Sequence, residues 1–213
     1  MKKVVFLGLG YIGLPTAAVA AGHGYEVVGV DVNPSVVETI NQGKIHIVEP
    51  ELDQIVKEVV RTGNLRAVSK PEQADAFFVV VPTPFKQNHR ADITYVESAT
   101  RSVIPYLREG NLFVIESTSP VFTTERMAEV IYKERPELKD KIYIAYCPER
   151  VLPGNTLYEL VHNDRVIGGV NPESTAKAIE FYSAFVQGKL HPTNARTCLL
   201  YTSDAADDLI GVD

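Results

Sequence analysis

The sequence has no apolar run approaching the ~18 residues that a membrane-spanning helix requires, which sets aside a helical membrane protein. Nor does it open like a secretory leader. Met1-Lys2-Lys3 enters a four-residue apolar run that ends in glycines, too short for a signal-peptide core. Cysteine is scarce: Cys147 and Cys198 are too few for a disulfide framework and fit a reducing cytoplasm. An excess of positive charge is also missing. The net charge is −6, and Asp204, Asp207, Asp208 and Asp213 supply four of those charges with no base near them, so residues 1–197 carry only −2. That balance argues against a nucleic-acid partner. The five histidines (His23, His46, His89, His162 and His191) show no metal-ligand spacing, so no metal site is expected. Internal repeats and low-complexity linkers are absent as well.

What remains is an ordinary globular composition, 45% hydrophobic and 23% charged over 213 residues, enough for one large domain with a sizeable core. Short unbroken apolar runs alternate with longer amphipathic stretches. This pattern predicts an α/β fold, a doubly wound, Rossmann-like parallel sheet with helices on both faces. Strands are expected at Val4–Leu7, Val27–Val30, Ala76–Val81, Leu112–Ile115, Ile142–Ala145 and Arg165–Ile167, with shorter ones near Leu65–Val68 and Lys189–His191. Helices are expected at Ile12–Ala21, Pro34–Asn41, Glu51–Arg61, Ile93–Leu107, Val121–Tyr132 and Glu173–Phe185. Asn33 followed by Pro34 is a strong start signal for the second of these.

The first chemical signal is Gly8-Leu9-Gly10-Tyr11-Ile12-Gly13, placed directly after a hydrophobic strand and opening a helical pattern. In that context G-x-G-x-x-G predicts a dinucleotide site. Gly8 permits the turn, Gly10 lets the backbone approach a pyrophosphate, and Gly13 allows close helix–strand packing. The helix start at Tyr11-Ile12 offers N–H donors to phosphate. An ordinary strand-to-helix turn is the plainer alternative. Asp31 ends the next strand, where a carboxylate can bond both hydroxyls of the adenosine ribose and repel a 2′-phosphate. With Val32, Asn33 and Pro34 following it and no base close by, NAD is expected over NADP.

Two further strand ends carry polar loops on the same edge: Pro82-Thr83-Pro84 and Glu116-Ser117-Thr118-Ser119-Pro120. Ligands of open α/β sheets sit beyond the carboxyl ends of the strands, so Thr83 and Thr118 face the expected crevice. Each also has a simple structural reading, as a turn former or a neighbour of a helix cap. The last such loop, Cys147-Pro148-Glu149-Arg150-Val151-Leu152-Pro153-Gly154, sets an acid beside a base. Glu149 can serve as a general base if partly buried, and Arg150 can fork onto a carboxylate or phosphate. From the spacing alone, a surface Glu–Arg pair on a loop is the slightly favoured reading. Cys147 directly follows an apolar strand with no His beside it and is expected to be a buried structural thiol.

The glycine loop with Leu14-Pro15, Asp31, Val81-Pro82-Thr83-Pro84 and Glu116-Ser117-Thr118 together resemble the UDP-glucose/UDP-mannose dehydrogenase family of nucleotide-sugar oxidoreductases. Three stretches resemble its UDP-aminosugar branch: Ile45-His46-Ile47-Val48-Glu49-Pro50, Cys147 to Gly154, and Asn163-Asp164-Arg165-Val166-Ile167-Gly168-Gly169. The resemblance covers residues 1–197 and implies oxidation of a sugar's primary alcohol to a carboxylate, with two NAD reduced and a cysteine thioester on the way. By matching position it implies that Tyr11, Ile12, Asp31, Thr83 and Thr118 bind NAD. It also implies that Arg150 and Val151 contact the nucleotide-sugar and that Glu149 assists thioester hydrolysis. The UDP-glucose branch has a second acid a few residues later; Pro153 falls near that place, so the resemblance does not extend to a two-acid mechanism. A UDP-glucose dehydrogenase, a stand-alone NAD-binding module and a hydroxyacid dehydrogenase are the rival readings. The last shares the glycine loop but not the Pro-Thr-Pro and Cys-Pro-Glu-Arg loops.

Residues 198–213 keep no family pattern and read as sequence foreign to the frame, such as sequencing-adapter read-through, attached to an NAD-binding domain of residues 1–197. The Gly-Gly-His-Cys motif and the lysine-bearing helix, which the resemblance associates with catalysis and with homodimer formation, are not among the 213 residues. The chain as written is therefore expected to bind NAD without completing the oxidation.

Overall fold

A computed structural model describes residues 1–86, 91–149 and 151–198. The chain runs β1 (Lys3–Leu7), α1 (Gly13–Gly22), β2 (Glu26–Val30), α2 (Pro34–Asn41), α3 (Leu52–Arg61), β3 (Leu65–Val68) and β4 (Ala76–Val79). It continues through α4 (Thr94–Val103), β5 (Leu112–Ile115), α5 (Thr123–Glu134), β6 (Tyr143–Tyr146), α6 (Thr156–His162), β7 (Arg165–Gly169), α7 (Pro172–Tyr182) and β8 (Leu190–Asn194). One sheet holds all eight strands in the order β3-β2-β1-β4-β5-β6-β7-β8. The first six are parallel and reverse their order of addition between β1 and β4, which places a crevice over that junction.

The central strands β4 and β5 are buried along their whole length, as unbroken apolar runs predict. Alternation along β1 sends Val4 and Phe6 to one face, under α1, α3 and α7, and Val5 and Leu7 to the other, under α4 and α5. The first face holds an aromatic stack: Phe6 lies 4.7 Å from Phe78, and Phe78 lies 4.3 Å from Phe181 of α7. Each such ring contributes ~1.5–3 kcal/mol by leaving water. Together they fix α7 against the middle of the sheet.

The all-parallel expectation needs one correction. β7 pairs with β6 antiparallel, and only β7 with β8 is again parallel. The connection between β6 and β7 contains the seven-residue α6, ~10 Å of helix at 1.5 Å per residue. It ends without returning the chain to the edge where β6 began. Sequence reading also passed over α6, because two turns are too few for a hydrophobic period to show. Pro105 converts the end of the expected helix 93–107 into a 3-10 turn, Ile104–Tyr106, so α4 stops at Val103. Asn33 caps α2 as predicted, its side chain accepting from the Ser35 N–H at 3.0 Å. Of the stretch 198–213, only Cys198 lies among the described residues. It is buried, and its thiol donates to the Val166 carbonyl at 3.0 Å.

Candidate functional site

The parallel register brings the carboxyl ends of five strands into line. Leu7 pairs with Val30 and with Val79, Val79 with Ile115, and Ile115 with Tyr146. The next residue of each chain therefore emerges on one edge: Gly8, Asp31, Val80, Glu116 and Cys147. A cleft of about 620 Å³ opens there. Its walls include Gly8, Gly10, Tyr11, Ile12, Asp31, Thr83, Thr118 and Glu149, which sequence reading singled out, and also Glu116.

The three glycines do different work. Gly8 has φ +93°, and a Cβ there would lie 2.3 Å from the Val80 carbonyl oxygen. A Cβ on Gly13 would lie 1.9 Å from the Gly8 oxygen, so this position sets how closely α1 approaches the turn. Gly10 is exposed, and a Cβ on it would meet nothing within 4 Å. Its lack of a side chain is not needed for packing and leaves the backbone open to an incoming group. No side chain caps the N-terminus of α1, so its donors remain directed at the cleft. This cradle suits a diphosphate.

Asp31 folds back onto the same wall. Its Oδ2 accepts from the Leu9 N–H at 3.1 Å and its Oδ1 from the Asn33 N–H at 2.9 Å. These two bonds leave acceptor capacity on both oxygens for hydroxyl donors. Across the cleft, the Thr83 hydroxyl donates to the Thr118 carbonyl at 2.7 Å. Beneath them the Ser117 Oγ accepts from the Val81 N–H at 2.9 Å and donates to the Val81 carbonyl at 2.8 Å. The loops after β4 and β5 are thereby stapled together.

Glu149 proves not to be half of a surface pair. Its side chain is 6% exposed and meets Arg165, 3% exposed at the start of β7, at 2.7 Å. Arg165 also donates to the Leu160 carbonyl at 3.1 Å. Glu116, wholly buried beside this pair, accepts from the Tyr182 hydroxyl at 2.5 Å, and the Arg165 guanidinium lies 5.0 Å from the Tyr182 ring. Burial pushes Glu116 up to about 7, against the pull of Arg165 and of the Tyr182 hydroxyl, with Glu149 adding to the rise. Burial pushes the Cys147 thiol up to about 12. That agrees with the expectation of a structural thiol and leaves it a poor nucleophile.

Val151 is buried but does not line the cleft, and Arg150 lies outside the described residues. Sequence reading quoted Glu116 and Arg165 inside motifs without giving either a role, and Tyr182 was passed over. Glu49, named above within the Ile45–Pro50 stretch, has a structural part that the motif does not show. Its buried carboxylate accepts from the N–H groups of Gly154 at 2.9 Å and Thr156 at 2.7 Å, capping α6 from another part of the chain. It thereby anchors the end of the Cys-Pro-Glu-Arg loop.

Comparison with known proteins agrees with this geometry. Residues 2–186 match the NAD binding domain of the UDP-glucose/GDP-mannose dehydrogenase family. The chain is 53% identical over 204 residues to a UDP-N-acetyl-D-mannosamine dehydrogenase of Yersinia pestis, covering 92% of this chain and 49% of that protein. It is 50% identical to an NDP-N-acetyl-D-galactosaminuronic acid dehydrogenase of Ralstonia nicotianae, covering 92% of this chain and 48% of the relative. Among solved structures, the UDP-N-acetyl-mannosamine dehydrogenase Cap5O from S. aureus superimposes with a TM-score of 0.90 at 39% identity, over 94% of this chain and 50% of that one. The chain thus spans about half the length of the curated relatives it matches.

Proposed function

Because the chain belongs to the UDP-glucose/GDP-mannose dehydrogenase family and carries its NAD-binding domain, we propose that it supplies the cofactor half of an enzyme oxidising UDP-N-acetyl-D-mannosamine to UDP-N-acetyl-D-mannosaminuronate. The overall change takes a primary alcohol to a carboxylate by two hydride transfers, with one water consumed and two NAD reduced. NAD supplies hydride acceptance. The protein's residues bind it and hold its two halves apart along the sheet edge.

Gly8, Gly10 and Gly13, with the amides opening α1 at Tyr11 and Ile12, hold the diphosphate. Asp31 accepts from the adenosine ribose hydroxyls, and Thr83 and Thr118 bond the nicotinamide half. Glu149, held by Arg165 on the cleft wall, acts as the acid–base group for hydrolysis of the thioester. Arg150 and Val151 contact the nucleotide-sugar. The resemblance alone supports the last two assignments, assembly as a homodimer, and the catalytic thiol and lysine, which the family pattern puts outside these residues. The low cysteine content, two buried residues at Cys147 and Cys198, favours the cytoplasm as the compartment.

The observation that carries the cofactor reading is the meeting of Asp31 with the glycine turn: its carboxylate bonds the Leu9 amide on the cleft wall. Titration of the chain with NAD and NADP tests it. NAD is expected to bind at least tenfold more tightly, and Asp31→Ala is expected to remove most of that preference. Equal binding of both, or an Asp31→Ala protein indistinguishable from the parent, would overturn the reading. Turnover of UDP-N-acetyl-D-mannosamine against UDP-glucose by a full-length relative sharing these loops tests the sugar assignment, and preference for UDP-glucose would reverse it.

A further inference from the structure

Of the two acids on the cleft wall, Glu116 is more deeply buried than Glu149. Its side chain closes β5 at 2% exposure and lines the cleft beside Thr118 and Glu149. Oε1 accepts from the Tyr182 hydroxyl at 2.5 Å, while among the described residues no group hydrogen-bonds Oε2. Among the described residues, the titratable and charged groups packed around it are Tyr182 of α7, Arg165 of β7, and Cys147 and Glu149 of the loop after β6. Arg165 pairs with Glu149 at 2.7 Å and also attracts Glu116, while burial opposes the ionised form of Glu116. The balance is close, so the ionisation of Glu116 depends on the charge of what enters the cleft.

Its place along the sheet selects what that is. Asp31 follows β2 and Glu116 follows β5, three strand spacings away through β1 and β4, or about 14 Å at ~4.8 Å per spacing. A dinucleotide whose adenosine end is held at β2 crosses the switch point between β1 and β4 and ends over the second half of the sheet. Glu116 belongs to that half, where the ring carries a positive charge when oxidised and none when reduced.

We infer that Glu116 is the charge-sensing acid of the cleft: Oε2 is ionised beside oxidised nicotinamide and carries a proton beside the reduced ring. The inference rests on the NAD reading above. It balances in protons, because a protein holding hydrogen on Oε2 releases it to solvent on taking up NAD and keeps it on taking up NADH. The rise of this acid to about 7 puts the exchange within reach of neutral solution.

The test is the pH dependence of binding by the 213-residue chain, followed calorimetrically for NAD and by nicotinamide fluorescence for NADH. Between about pH 6 and 8 the NAD dissociation constant is expected to fall about tenfold, the linkage for one unit of pKa change, while that of NADH stays level. Glu116→Gln is expected to flatten the NAD profile. Tyr182→Phe removes a donor that favours the ionised form, so the midpoint of its profile should move to higher pH, a displacement that packing alone does not produce. Should Glu116→Gln fail to fold, Tyr182→Phe and the parent decide the matter. A level NAD profile in the parent, or a slope that survives in Glu116→Gln, overturns this inference alone. Failure of the parent to bind either cofactor at any pH overturns the NAD reading, and this inference with it.

Discussion

Gly10 and Gly13 stand three residues apart in one turn, yet the same substitution should harm them in opposite ways. A methyl group on Gly10 meets no atom within 4 Å, so Gly10→Ala is expected to leave stability within ~0.5 kcal/mol of the parent, as at open surface positions. It should still weaken NAD binding at least tenfold by filling the approach to the backbone. At Gly13 the methyl group would fall 1.9 Å from the Gly8 oxygen, so Gly13→Ala is expected to cost ~1–3 kcal/mol of folding stability through overpacking. Denaturant unfolding and NAD titration on the two variants separate the effects, and equal stability losses would contradict the assignment. Cys147 gives another residue-scale expectation. With burial holding its thiol near 12, iodoacetamide at about pH 8 should leave it unmodified in the folded chain and alkylate it after denaturation. Modification of native Cys147 at the rate of a free thiol would show that the cluster is open to solvent.

The elements were legible where local chemistry specifies them. Apolar runs located the inner strands such as β4 and β5, because strands buried on both faces need no polar alternation. The edge strands β3 (Leu-Arg-Ala-Val) and β8 (Leu-His-Pro-Thr-Asn) carry no such run. Asn33-Pro34 marked a helix start by its capping geometry. Direction was not legible, since an apolar run reads the same whichever way its neighbour points, and β7 therefore came as a reversal. Neither was α6, whose N-terminus is capped not by its own Asn155 but by Glu49, 107 residues from Thr156 in sequence. That cap makes an element-scale prediction. Glu49→Ala removes one buried acceptor pair and strands the N–H groups of Gly154 and Thr156, at a cost of ~1–3 kcal/mol. Hydrogen exchange should quicken at residues 151–160 while the glycine turn stays protected. Uniform loss of protection over the whole chain would mean that Glu49 supports the fold generally and not this loop.

At the scale of the whole molecule, the part of the site carried by one turn and one strand end could be read directly, and the part assembled from distant segments could not. Gly8 to Asp31 lie within one βαβ unit with a known spacing. Glu116, Glu149, Arg165 and Tyr182 come from four segments, with Tyr182 66 residues from the Glu116 it bonds, and only the docking of α7 under the sheet brings them together. Their assembly also sets how the free protein responds to pH. Glu116 rises from its ordinary 4.5 to about 7 on folding, so between those values the folded chain holds one more proton than the unfolded chain. The associated stability is fully present below about 4.5, declines through the interval and is gone above about 7. The total is at most on the order of 3 kcal/mol, at 1.36 kcal/mol per unit. Urea unfolding of the parent and of Glu116→Gln at several pH values measures this as a difference: the advantage of the parent should shrink steadily as pH rises and level off past neutrality. Parallel stability curves for the two proteins would show that Glu116 carries the same proton in the folded and unfolded chains. Saturating NAD should then move the end of that decline downward, because a ligand that favours the ionised acid lowers the pH at which the folded chain gives up its proton, whereas saturating NADH, which binds without changing that proton, should leave it in place.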